Sequence, residues 1–121
     1  LGIAPSPAVS VTGEQLVQPD ARVDGTSVIG QGSAIGRRAV VAADARVLGS
    51  VVFDDAVIAA GAIVEGSIVG QGARVGEGVT LRGAVVGDGA TIGARNELLE
   101  GVRVWPGVEL PAGSVRFSAD V

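Results

Sequence analysis

Catalysis at neutral pH needs side chains that trade protons, attack carbonyls or hold metals, and this chain lacks most of them. Its 121 residues include no His and no Cys, and its basic residues are all Arg. Without imidazole or thiol there is no Ser-His-Asp or Cys-His nucleophile and no zinc site of the usual His or Cys kind. Without Lys there is no Schiff base and no Gly-Lys-Ser/Thr phosphate loop. What remains is carboxylates, guanidinium groups and glycine. Asp54 and Asp55 are neighbours in the chain, and on an extended strand neighbours point to opposite sides, so they form no acid/base pair. Asp20, Asp24, Asp44, Asp88, Glu65, Glu77 and Glu100 read as solvated corners and edges. Three glycine clusters, GQGSAIG from Gly30, GQGARVG from Gly70 and GDGATIG from Gly87, imitate a dinucleotide-binding loop. Such a loop works because a helix starts immediately after it. Here another Val or Ile follows instead, so the clusters read as tight corners. Arg37–Arg38, Arg74, Arg82, Arg95 and Arg103 are spread among acidic residues and are expected to balance them. No catalytic, cofactor-binding or metal-binding residue is therefore assigned.

The elements that would position these residues follow from a six-residue beat. Aliphatic residues recur at Val17, Val23, Ile29, Ile35, Val41 and Val47, then at Val52, Ile58, Val64, Val69, Val75, Leu81, Val86, Ile92, Leu99, Val104 and Leu110. A small residue usually stands four places later, as at Ala21, Ser27, Ser33, Ala39, Ala45, Ala56, Ala62, Ala73 and Ala90. Neither a helical nor an alternating period fits, and a six-residue beat marks a parallel β-helix. Three beats make one turn of a triangular prism, and Gly49, Gly66, Gly83 and Gly101 align from row to row. The spacing predicts an all-β, single-stranded coil of about five turns over 17–113, with rows about 4.8 Å apart. Residues 1–16 lack the beat and carry Pro5 and Pro7, so they read as a linker from a missing upstream domain. Residues 114–121 read as a C-terminal tail covering the last turn. A chain without Met that starts at Leu1 reads as part of a longer polypeptide.

Composition adds exclusions. Hydrophobic residues make up 47% but aromatics only 2%, a core of Val, Ile, Leu and Ala. Apolar runs are too short to span a membrane, and no export signal is visible, so the expected location is cytoplasmic. A net charge of −4 with scattered Arg argues against nucleic acid or an anionic membrane as partner. The few aromatics are informative. Phe53 and Trp105 fall in one outward column, with Gly70 and Gly87 in the rows between, and mark a contact with another subunit or domain. Val28, Val40, Val51, Val57 and Ile63 also face outward and would extend that patch. Contact between subunits and cover by the same polypeptide fit this pattern equally.

The stretch NELLEGVRVWPGVELPAGSVRFSADV (Asn96 to Val121), the repeated x-G-S/A-V/I-V-G-x-G turns and the entry LGIAPSPAV resemble the C-terminal part of bacterial mannose-1-phosphate guanylyltransferases (GDP-mannose pyrophosphorylases), of the actinobacterial type. That resemblance implies a left-handed coil used for assembly into a homo-oligomer, or for regulation. It also implies an N-terminal nucleotidyltransferase domain that joins GTP to mannose 1-phosphate with Mg²⁺. The family's catalytic motifs belong to that other domain, and none is carried onto these residues. Six-residue beats also occur in acyltransferases that use His as a general base and in three-His zinc carbonic anhydrases, and a chain without His matches neither. The alternative is a stand-alone module, or a degenerate acyltransferase, that takes a small anionic ligand between adjacent rods.

Overall fold

An inward aliphatic at every fifth or sixth residue makes the backbone circle a narrow bore three steps at a time, and the computed structural model shows that path. Residues 10–12 and 15–115 are described. Turn 1 has strands Ser10–Thr12, Gln15–Val17 and Arg22–Val23, and turn 2 has Val28–Gly30, Ser33–Ile35 and Val40–Val41. Turn 3 has Arg46–Leu48, Val51–Val52 and Val57–Ile58, and turn 4 has Ile63–Glu65, Ile68–Val69 and Arg74–Val75. Turn 5 has Thr80–Arg82, Val85–Val86 and Thr91–Ile92, and turn 6 has Glu97–Leu98, Arg103–Val104 and Glu109–Leu110. The first strands of all turns form face 1, the second strands face 2 and the third strands face 3, each a six-stranded sheet. Every pairing is parallel and in register, for example Val64 with Val47 and Leu81. The chain is thus a left-handed parallel β-helix. No helix of the described residues is long and apolar enough to cross a membrane.

The bore is filled as the beat requires. Ile29, Ile35, Val41, Val47, Val52, Ile58, Val64, Val69, Val75, Leu81, Val86 and Ile92 are all exposed by 1% or less. Each stacks on its copies in the turns above and below, so the core is a column shared by all turns, and no turn could bury its inward face alone.

Two expectations change. The coil has six turns instead of about five, because Ser10–Thr12 and Gln15–Val17 already pair with turn 2 inside the span read as linker. Val11 stands six residues before Val17 and pairs with Ile29, so the beat already runs through this span; the rest of the linker, 1–9 and 13–14, lies outside the described residues. In turn 6 the inward residue is Leu98, paired with Leu81, and Leu99 is half-buried. The face 1–face 2 corner carries one more residue here than in turns 3 to 5. Aligning Gly101 on Gly83, whose carbonyl does accept the Gly101 N–H at 3.0 Å, conceals that insertion. Of the tail, Ser114 and Val115 still bond to Asn96, and 116–121 lie outside the described residues.

Polar groups inside the wall are satisfied. Ser33, Ser50 and Ser67 stack at the face 1–face 2 corner, all buried. The Ser50 N–H donates to Ser33 Oγ at 3.1 Å, the Ser67 N–H to Ser50 Oγ at 3.0 Å, and the Ala84 N–H to Ser67 Oγ at 3.1 Å. Each hydroxyl donates in turn to a carbonyl, Gly30, Leu48 and Glu65 respectively. At the far end, buried Asn96 donates to the carbonyls of Gly93 and Pro111 and accepts the Val115 N–H at 2.7 Å. Buried polar atoms that are all paired fix the turns in register with one another.

Candidate interaction surface

With the bore closed, any site must lie outside. The corner between faces 2 and 3 carries, from turn 1 to turn 6, Gln18, Gly36, Phe53, Gly70, Gly87 and Trp105. Phe53 is 48% and Trp105 73% exposed, so the two rings stand outward in one column. The glycines of this column have a physical cause. A Cβ on Gly36 would lie 2.5 Å from Asp54 Oδ1 and 2.6 Å from its amide nitrogen. A Cβ on Gly70 would meet the same atoms of Asp88 at 2.5 and 2.7 Å, and one on Gly87 would meet the Pro106 nitrogen at 2.6 Å. These carboxylates are held in place because Asp54 accepts the Arg37 N–H and Asp88 the Gln71 N–H, each at 2.9 Å.

The strands leading into this corner complete the surface. Along face 2 the outward residues are Leu16, Ala34, Val51, Ile68, Val85 and Arg103, in register from turn to turn. Among the described residues, the exposed large hydrophobics Leu16, Phe53, Ile68 and Trp105 all lie on this face or its following corner. Face 3 instead turns out Arg22, Val40, Val57, Arg74, Thr91 and Glu109. Of the outward aliphatics named from the sequence, only Val51 joins the face 2 stripe. Val28 and Ile63 lie on face 1 and Val40 and Val57 on face 3, all half-buried. The sequence reading missed Leu16, Ile68 and Val85. Wrapping the chain three beats to a row and reading only the residue before each inward aliphatic would have found them.

The charged groups do other work. Asp54 and Asp55 sit on a corner, not an extended strand, and Asp55 has φ 63°. They still serve separate partners: Asp54 caps Arg37, while Asp55 takes the Arg38 guanidinium in a fork at 2.8 and 3.1 Å. The Asp55 carboxyl is held below its ordinary value by that hydrogen bond, and Arg38 is raised by the same contact. Arg82 reaches Glu65 of the preceding turn at 3.0 Å. Asp24 is lowered by hydrogen bonds from the Thr26 hydroxyl and N–H. The three glycine clusters form corners that lead into strands, with Gly32, Gly72 and Gly89 at φ 79°, 68° and 68°. Among the described residues no group of three or more Asp, Glu, His or Cys could hold a metal ion.

Comparison with known proteins fits this geometry. A mannose-1-phosphate guanylyltransferase of Mycobacterium tuberculosis is 55% identical over 121 residues, covering 99% of this chain but 34% of that protein. The chain thus spans about a third of the length of this relative. Among solved structures, a Bacillus cereus protein assigned as an acetyltransferase superposes with a TM-score of 0.62 at 16% identity, covering 86% of this chain and 78% of that one. The acetyltransferase domain of PglB from Neisseria gonorrhoeae gives 0.56 at 22% identity, covering 91% and 54%. At those identities the two structures share the fold with this chain and nothing more. The family model described as the GMPPB C-terminal domain matches residues 11–115, and the chain belongs to that family.

Proposed function

We propose that this chain is the assembly domain of a sugar-nucleotide pyrophosphorylase that makes GDP-mannose from GTP and mannose 1-phosphate in the cytoplasm. Catalysis and Mg²⁺ belong to the enzyme's nucleotidyltransferase domain, and this rod holds copies of the enzyme together. The observation that carries the reading is the apolar stripe of face 2 with Phe53 and Trp105 at its edge, on a rod whose bore has no room for a reaction. Exposed apolar surface gathered on one face fits a protein contact. The reading of a small-anion module has weaker support, because Arg38 is already forked onto Asp55 and Asp54 and Asp88 cap backbone amides.

Sedimentation equilibrium on this chain tests the proposal. A dimer or larger species is expected. A monomer at high concentration that binds a nucleotide or acyl-CoA by calorimetry would overturn it.

A further inference from the structure

The corner column beside face 2 has an order that matters when read in both directions. From turn 1 to turn 6 its first places are Gln18, Gly36, Phe53, Gly70, Gly87 and Trp105. Reversed and laid on itself, it sets Phe53 opposite Gly70, Gly36 opposite Gly87 and Trp105 opposite Gln18. Each ring meets a glycine or a slender amide, and no ring meets a ring. The second places of the same corner are Pro19, Arg37, Asp54, Gln71, Asp88 and Pro106. Reversal sets Arg37 opposite Asp88, both exposed and of opposite charge, and Asp54 opposite the neutral Gln71. The third places oppose Arg38 to Gly89 and Asp55 to Gly72. On face 2 itself, Val51 falls opposite Ile68, Ala34 opposite Val85, and the stem of Arg103 opposite Leu16.

We propose that a second copy of this chain packs antiparallel on face 2, its two-fold axis running along the strands between turns 3 and 4. The inference rests on the assembly reading and adds the face, the direction and the register. The axis direction follows from geometry. A two-fold along the strand direction reverses the rods and brings the face 2–face 3 corner of one copy against the same corner of the other. A two-fold along the rod would instead put that corner against the face 1–face 2 corner, where the complementary order has no counterpart. The parallel ladders of this face are in register from turn to turn, so the pairs recur row by row. Oppositely charged partners steer the correct register and penalise slipped ones. Six rows about 4.8 Å apart, each some five residues wide, project about 400 Å² per copy. That is about half the usual contribution of one partner in a stable complex, so a weak, concentration-dependent dimer is expected for this chain alone.

The chain's lack of cysteine makes the test direct. Ala34→Cys and Val85→Cys are prepared as separate proteins, checked for unchanged melting temperature, and mixed above the dimer constant. A bifunctional thiol reagent short enough to bridge only the ~10 Å between packed sheets is then added. Within one copy the two positions are three rows, about 14 Å, apart. The expected result is a covalent dimer in the mixture and none with either variant alone. A covalent dimer from Ala34→Cys alone would mean parallel rods and would overturn the proposal. Sedimentation as a dimer without cross-linking would place the contact elsewhere, overturning this inference while leaving assembly standing. A monomer would sink both. Arg37→Glu and Asp88→Arg provide a second readout: each alone is expected to weaken the dimer at least fivefold, and the two variants mixed to recover most of the loss. Absence of recovery would count against the register.

Discussion

Faces 2 and 3 share a backbone path, an inward column of aliphatics and almost the same strand lengths, yet they present different surfaces. Face 2 turns out Leu16, Ala34, Val51, Ile68, Val85 and Arg103; face 3 turns out Arg22, Val40, Val57, Arg74, Thr91 and Glu109. Their inward residues are interchangeable in kind, Ile35 and Val69 on one, Ile58 and Val75 on the other, all buried. In this coil the inward column specifies the fold, and the outward column is free to specify what the rod touches. The two sets of residues alternate along each strand, so selection on one leaves the other largely undisturbed.

That division gives tests in descending order of effect. Ile58→Ala, which empties part of the bore, is expected to cost about 2–5 kcal/mol in denaturant unfolding, the range for large-to-small core changes. A loss below 1 kcal/mol would mean that the stacked column matters less than argued. Ser50→Ala should cost about 1–3 kcal/mol, because the buried Ser67 N–H loses its acceptor. Hydrogen exchange should then quicken at Ser67 before other amides in the sheets.

Outward substitutions should leave folding nearly intact and separate the faces. Ile68→Asp and Trp105→Ala are each expected to weaken self-association tenfold or more with little change in melting temperature. Thr91→Asp on face 3 should leave association unchanged. Equal effects on the two faces, read by sedimentation, would erase the distinction. The smallest effect belongs to the exposed Arg38–Asp55 fork. Because Asp55 titrates below its ordinary 3.8 in the folded chain, its contribution is present above that value and lost as pH falls through the folded one. Arg38→Gln should therefore be slightly less stable than the parent at pH 7, and the gap should close in acid. A gap that widens in acid would contradict the assignment.

Much of this was legible in the residue order. The beat gave the coil, the bore and sixteen of the seventeen inward aliphatics named in it, because a narrow prism tolerates little else at those places. It failed where another constraint shaped the sequence. Leu98 was passed over for Leu99 because Gly101 does sit beside Gly83, and the extra residue hides just before it. Ser50 and Ser67 escaped notice because the short corner places them three residues after an aliphatic instead of four. Phe53 and Trp105 were singled out by rarity, and the structure puts both in one exposed corner column. The apolar stripe beside them was not seen, since each of its members looks ordinary until rows are stacked and one column is read by itself.

Each turn touches only its predecessor and its successor, through pairings 17 or 18 residues apart. A tandem duplication of one turn would therefore lengthen the rod by a single layer without disturbing the wall. On such a scaffold, gene-level copying is a cheap route to rods of new length. Were two copies paired as proposed, such a duplication would slip their phase by a whole layer at one end.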